Sequence, residues 1–206
     1  HPRHVPPVEA PPQLLPFPSP DCSARLGSRA QMNPPIREAR HRQALWRAVA
    51  DGLVDVVGSD HAPHTLEEKA NPYPESPSGM PGVEMLLPIM LDHVQKGLLR
   101  LERMVDLLCH GPARVYGIPR KGRIARGMIA DLTVVDPRAT TRVSDSDVRS
   151  KCGWTPYDGM VLQGRVHATV LRGALAMREG EVLGRPAGQP VELGPIPPHA
   201  RHGGLS

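Results

Sequence analysis

The chain has 206 residues, 25 Lys and Arg against 21 Asp and Glu, and a formal net charge of +4. The cations are scattered and aromatic residues make up 3% of the chain, so there is no basic stripe with stacking rings and nucleic-acid binding is not expected. No 18-residue apolar run and no charged-then-apolar leader occurs, which argues against a membrane span and a signal peptide.

Cys22, Cys109 and Cys152 are odd in number and far apart, as for reduced thiols in a cytoplasmic protein. Eight prolines fall within residues 1–20 and forbid a regular helix or a central strand there. That lead is expected to be extended or disordered, and His1 and His4 on it are poorly preorganised as ligands. From Glu38 to Asp51 the pattern is helical, with Ala39, Leu45, Trp46 and Val49 near one face and Gly52 as the stop. Glu38 and Arg42 are spaced as an i,i+4 ion pair.

Residues 53–57 end in the β-branched run Val54-Asp55-Val56-Val57 and read as a buried strand. Pro72, Pro74, Pro77, Gly79, Pro81 and Gly82 make the following segment long and irregular, as functional loops often are. Val83 to Lys96 reads as a helix kinked by Pro88, Leu101 to Leu108 as a shorter helix, and residues 111–117 as one further turn. The period then changes. Residues 131–136 read as a strand, and 166–172 with 174–178 as a hairpin about Gly173. Trp154 and Tyr157 are read as packing groups. Beyond Pro186 the chain is rich in Gly and Pro and is expected to be a loose tail.

The chemistry concentrates in Gly58-Ser59-Asp60-His61-Ala62-Pro63-His64, with Lys69 five residues on. A carboxylate and two imidazoles just past a strand end can bind a metal or move a proton. The bland alternative is a turn-forming Asp beside solvated histidines. Gly-Ser-Asp-x-Ala-Pro-His-x-x-x-x-Lys resembles the second signature of the dihydroorotases of the amidohydrolase superfamily. Met32-Asn33-Pro34-Pro35-Ile36-Arg37 resembles the family's Asn-Pro-Pro-hydrophobic-Arg segment, and Ser78-Gly79-Met80-Pro81-Gly82-Val83-Glu84 its substrate loop. Lys121 to Asp136 is similar to the segment that returns to the family's β-sandwich. The three site motifs occur in order and at family-like spacing.

The resemblance implies an α/β fold: the C-terminal part of a (β/α)8 TIM-type barrel over residues 21–118, part of a small β-sandwich over 119–190, and a flexible tail over 191–206. A complete barrel needs about 250 residues, so this chain holds only part of one. It implies a zinc-dependent cyclic amidohydrolase that interconverts dihydroorotate and N-carbamoyl-aspartate, with one or two zinc ions in the intact family. Asp60 would be both metal ligand and catalytic proton carrier. Asn33 and His64 would bind the substrate, and the Ser78-Gly79 backbone would meet its ring. His61 is not carried over as a ligand and is left as a candidate supporting group; Lys69 belongs to the signature and is read as structural.

The family's His-x-His pair, carboxylated lysine and two later histidines are absent, so the ligand set is incomplete and this chain is expected to be inactive alone. A hydantoinase or allantoinase-type amidase is the alternative within the family. A non-catalytic dihydroorotase-like partner of aspartate transcarbamoylase is the alternative outside catalysis, and a homo-oligomer is also compatible.

Overall fold

The computed structural model of the chain describes residues 6–17 and 19–195. His1 and His4 lie outside them, as do residues 196–206 of the expected tail. Of the lead, residues 6–17 are ordered and in part extended, which corrects the expectation of disorder for that stretch. Glu9–Ala10 form strand β1, parallel to β2 at Val56–Val57, with Glu9 opposite Val56 and Ala10 opposite Val57. Val8-Glu9-Ala10 is a proline-free gap, long enough for a two-residue ladder. The next prolines open a 3-10 turn at Pro12–Leu14, where a missing N–H costs nothing. Asp55 N and Val56 N donate to Val8 O at 2.8 and 3.2 Å. Ala10, Leu15 and Phe17 are buried, so the lead is part of the core.

Between the two strands run α1 (Asp21–Leu26) and α2 (Ala39–Ala50), which makes β1-α2-β2 a parallel crossover unit. Helix α2 matches its expected span within one residue at each end. The Glu38–Arg42 pair does not form. Glu38 has extended backbone as the N-cap, off the helical spacing, and meets Arg40 at 3.1 Å, while Arg42 donates to Pro16 O. Strand β2 is shorter than residues 53–57, because Leu53 N still closes the helix end on Ala48 O.

Beyond the loop and α3 (Leu66–Lys69) comes α4 (Leu86–Gln95). It starts three residues later than expected, which puts Pro88 in the first turn. The N–H groups there have no partner in the helix, so no hydrogen bond is lost at Pro88. Helix α5 (Leu101–Val105), a π-helical turn at Asp106–His110 and α6 (Gly111–Val115) follow without a break, where the sequence suggested separate pieces. Arg103 ties this run to the crossover unit, with Nε on Val49 O at 2.9 Å and Nη2 on Val54 O.

The remaining strands form an antiparallel sheet in the order β3 (Leu132–Arg142), β4 (Val161–Leu171), β5 (Ala174–Arg178), β6 (Glu181–Val182). Strand β3 runs six residues past its expected end. Pro137 is accommodated in an irregularity between Asp136 and Thr140. The hairpin about Gly173 is present, and Arg172 and Gly173 both have positive φ, as a two-residue connection of this twist requires. The sheet meets the helices at α4, where Asp92 Oδ1 accepts from Gln163 N at 3.0 Å. Val49, Val54, Leu91 and Leu107 centre one core cluster, and Phe17 stacked on Tyr157 centres another. Trp154 and Tyr157 are fully buried, as expected of packing groups. Among the described residues no helix is long and apolar enough to cross a membrane.

His93 on α4 is 5% exposed and meets Trp46 edge to face, and neither ring nitrogen has a partner among the described residues. Desolvation pushes its pKa down to about 4; Asp92 opposes the shift, while Lys96 and Arg42 add to it. A folded-state pKa below the unfolded value contributes stability that is full above about 6.5 and lost as pH falls through about 4. The corresponding maximum is about 3 kcal/mol. Urea denaturation from pH 7.5 to pH 4 is expected to show His93→Leu losing less stability on acidification than the parent. Parallel curves would contradict a buried neutral imidazole.

Candidate functional site

Strand β2 stops at Val57, and the chain turns outward through Gly58 and Ser59. Asp60 follows three residues past the strand end, exposed, with φ +42°. This is the strand-end position expected for it. The next residues are clamped to the loop at 78–83. His61 bridges Met80 in parallel fashion, and Ala62 N donates to Met80 O at 3.0 Å. His61 Nδ1 accepts from Gly82 N at 3.1 Å and Val83 N at 3.3 Å, so its proton sits on Nε2. His61 thus supports the loop, as expected.

His64 is half-buried. Its Nε2 is 3.2 Å from Ser78 O, and a carbonyl can only accept, so this nitrogen carries hydrogen. Its Nδ1 lies 3.6 Å from Glu68 Oε2. Its own carbonyl accepts from Trp154 Nε1 at 2.8 Å, a tie beyond the packing role read for Trp154. Thr65 and Glu68 then close a capping box, each side chain bonded to the other's backbone N–H. The single turn they start delivers Lys69 into the interior.

Lys69 is 1% exposed. Its ammonium donates to Gln31 O at 3.0 Å and Pro77 O at 2.8 Å, and burial pushes its pKa below the ordinary lysine value. Gly79 N also donates to Gln31 O at 3.0 Å. Lys69 therefore fastens the segment leading to Asn33 to the segment leading to Ser78. Gly79 has φ +141°, and a side chain there would run into Ala62 and approach His64 Cδ2 at 3.2 Å. Only glycine lets this loop lie so close.

Asn33 and Ser78 line one open cleft of about 860 Å³, with Gln31, Asn71 and Tyr73. His64 and Gly79 stand against Ser78 at its edge. Asp60 stands apart from that cleft, on the strand end. The residue that sequence reasoning missed is Gln13, fully buried beyond β1, whose Nε2 donates to Ser59 O at 2.7 Å. Its neighbours Pro11, Pro12 and Pro16 masked the segment, and no motif singles it out.

Asp60 is a fit donor for a metal, but a catalytic zinc site takes three protein ligands. Among the described residues no three His, Cys, Asp or Glu side chains come together to hold an ion. The described residues do not by themselves fit a zinc centre.

The Amidohydrolase family model matches residues 18–176. The dihydroorotase of Halobacterium salinarum is 46% identical over 153 residues, 74% of this chain and 36% of that protein. The L-hydantoinase of Paenarthrobacter aurescens is 38% identical over 180 residues, 85% of this chain and 39% of that protein. The solved L-hydantoinase (dihydropyrimidinase) from Arthrobacter aurescens superposes with a TM-score of 0.82 at 38% identity, over 85% of this chain and 40% of that one. The chain thus spans well under half the length of these relatives.

The buried ammonium gives a direct test. Lys69→Met keeps the bulk but leaves the Pro77 carbonyl without its donor and Gln31 O with Gly79 N alone, at a cost of about 1–3 kcal/mol. Thermal unfolding is expected to register that loss, and amide exchange should quicken at Gly79. Unchanged stability and exchange would mean that Lys69 does not hold the two segments together.

Proposed function

The chain belongs to the amidohydrolase family, and on that premise we propose that it supplies the substrate-gripping and proton-carrying part of a dihydroorotase-like cyclic amidohydrolase. Residues 21–118, joined by β1 from the lead, are the end of a (β/α)8 barrel, and 119–190 are a segment of the family's small β-sandwich. In such barrels the chemistry sits at the C-terminal ends of the strands. The observation that supports the reading is Asp60 three residues past the end of β2, with Asn33, His64, Ser78 and Gly79 on segments drawn together by the Lys69 fastening.

The reaction is reversible hydrolysis of the cyclic amide of dihydroorotate to N-carbamoyl-aspartate. Asp60 accepts a proton from the attacking water and returns it to the leaving nitrogen, a task suited to an exposed carboxylate. His64 has Nε2–H committed to Ser78 O, so it grips the substrate carboxylate through Nδ1–H as the doubly protonated ring, in place of the loose contact with Glu68. Asn33 grips from across the cleft, and the Ser78-Gly79 backbone meets the ring. The family is generally metal-dependent. Of its ligand set this chain offers Asp60.

A second reading, a hydantoinase-type amidase, draws on the TM-score of 0.82 to the L-hydantoinase structure. The two substrates differ in chemistry. Dihydroorotate carries a carboxylate for His64 and hydantoin does not, so His64 discriminates between them.

A chimera in which this chain replaces the matching segment of the Halobacterium salinarum dihydroorotase tests the assignment. It is expected to open dihydroorotate, with Asp60→Asn lowering kcat by about a hundredfold to ten-thousandfold. The amide is nearly isosteric but cannot take up the proton. His64→Ala should act mainly by raising KM for dihydroorotate and leave any hydantoin turnover unchanged. A folded chimera that turns over hydantoin alone, or Asp60→Asn with parental kcat, would overturn the dihydroorotase reading.

A further inference from the structure

We infer that Gln13 is the positioning residue for Asp60: its side-chain amide fixes the peptide that leads into Asp60 and so sets the unusual backbone conformation that presents the carboxylate. β1 and β2 are parallel, with Ala10 opposite Val57, so Gln13 and Asp60 each lie three residues past a paired strand end, on the same rim. Gln13 is 0% exposed, and its Nε2 holds Ser59 O at 2.7 Å. That carbonyl belongs to the peptide whose nitrogen is that of Asp60. On the other side, His61 is fixed by Gly82 N, Val83 N and the bridge to Met80. Asp60 sits between these two clamps with φ +42°, a region that non-glycine residues seldom enter.

Two further features show that the contact is specific rather than filling. A carbonyl accepts and never donates, so the amide must turn its NH2 toward Ser59, which leaves Oε1 buried with no partner among the described residues. Packing alone would be served by an apolar side chain without that orphan. Gly82 is the second feature, since any Cβ there would overlap both Gln13 Nε2 and Ser59 O. The loop that carries the substrate contacts is thus cut to admit the glutamine.

Its importance for turnover rests on Asp60 carrying the proton, but the conformational claim does not. Residue-resolved NMR of the full chain, without substrate, tests the latter through the scalar coupling that reports φ at Asp60. Gln13→Met removes the donor at equal length and is expected to raise that coupling toward the extended-chain value, with resonance dispersion kept. Gln13→Glu adds a control that holds even if the methionine variant unfolds. Its neutral acid O–H can donate to Ser59 O, so the parental coupling should return below the carboxyl's titration and be lost above it. A parental coupling in Gln13→Met, or in Gln13→Glu at every pH, would overturn the inference. An inactive chimera with the couplings behaving as expected would instead count against the proposed reaction alone.

Discussion

The candidate site depends on one buried charge. Lys69 lies at 1% exposure with two carbonyl acceptors, Gln31 O and Pro77 O, from segments some 46 positions apart. Taking an ammonium out of water is costly, and its lowered pKa records that cost. The arrangement persists because both acceptors are backbone groups of irregular segments that have no ladder to bond with. Without the ammonium Pro77 O would face the interior unpaired and Gln31 O would keep only the Gly79 N–H. Asn33 lies two residues past one contact and Ser78 one residue past the other, so the same bond that satisfies the loops also sets the width of the cleft between them.

Much of this was legible in the sequence where a residue type has few uses. The Asp-x-Ala-Pro-His pattern after a β-branched run put Asp60 at a strand end, and the strand is there. Arg172-Gly173 between alternating apolar runs gave a hairpin, and Trp154 and Tyr157 were readable as buried from their size alone. The misreadings share a cause, in that composition was allowed to decide where tertiary pairing does. The prolines of the lead forbid long ladders but not a two-residue one, and β1 occupies the gap they leave. Pro88 breaks helices in general, yet costs little in a first turn. Gln13 could not be found at all, because its role exists only once β1 lies beside β2 and brings it under Ser59.

Family membership and the local geometry agree on what this chain contributes and on what it does not. The described residues set the His64 imidazole and the Ser78-Gly79 backbone at the cleft that Asn33 lines, held by a lysine and a capping box, with Asp60 apart at the end of β2. They bring together no metal-binding cluster. The chain spans 36–40% of the length of these relatives. The order of strength is informative. The segments bearing Asn33 and Ser78 are fastened by buried hydrogen bonds, whereas Asp60 is exposed and controlled by its backbone. That division suits the proton-carrying role proposed for Asp60.

The central claim is that the substrate grip is complete within this chain. Chemical-shift mapping with millimolar dihydroorotate measures it most directly. The account predicts perturbations grouped at Asn33, His64 and Ser78-Gly79 and reaching Asp60. Perturbations centred instead on the cleft of Trp46 and His93 between α2 and α4, or none at saturating ligand, would contradict it.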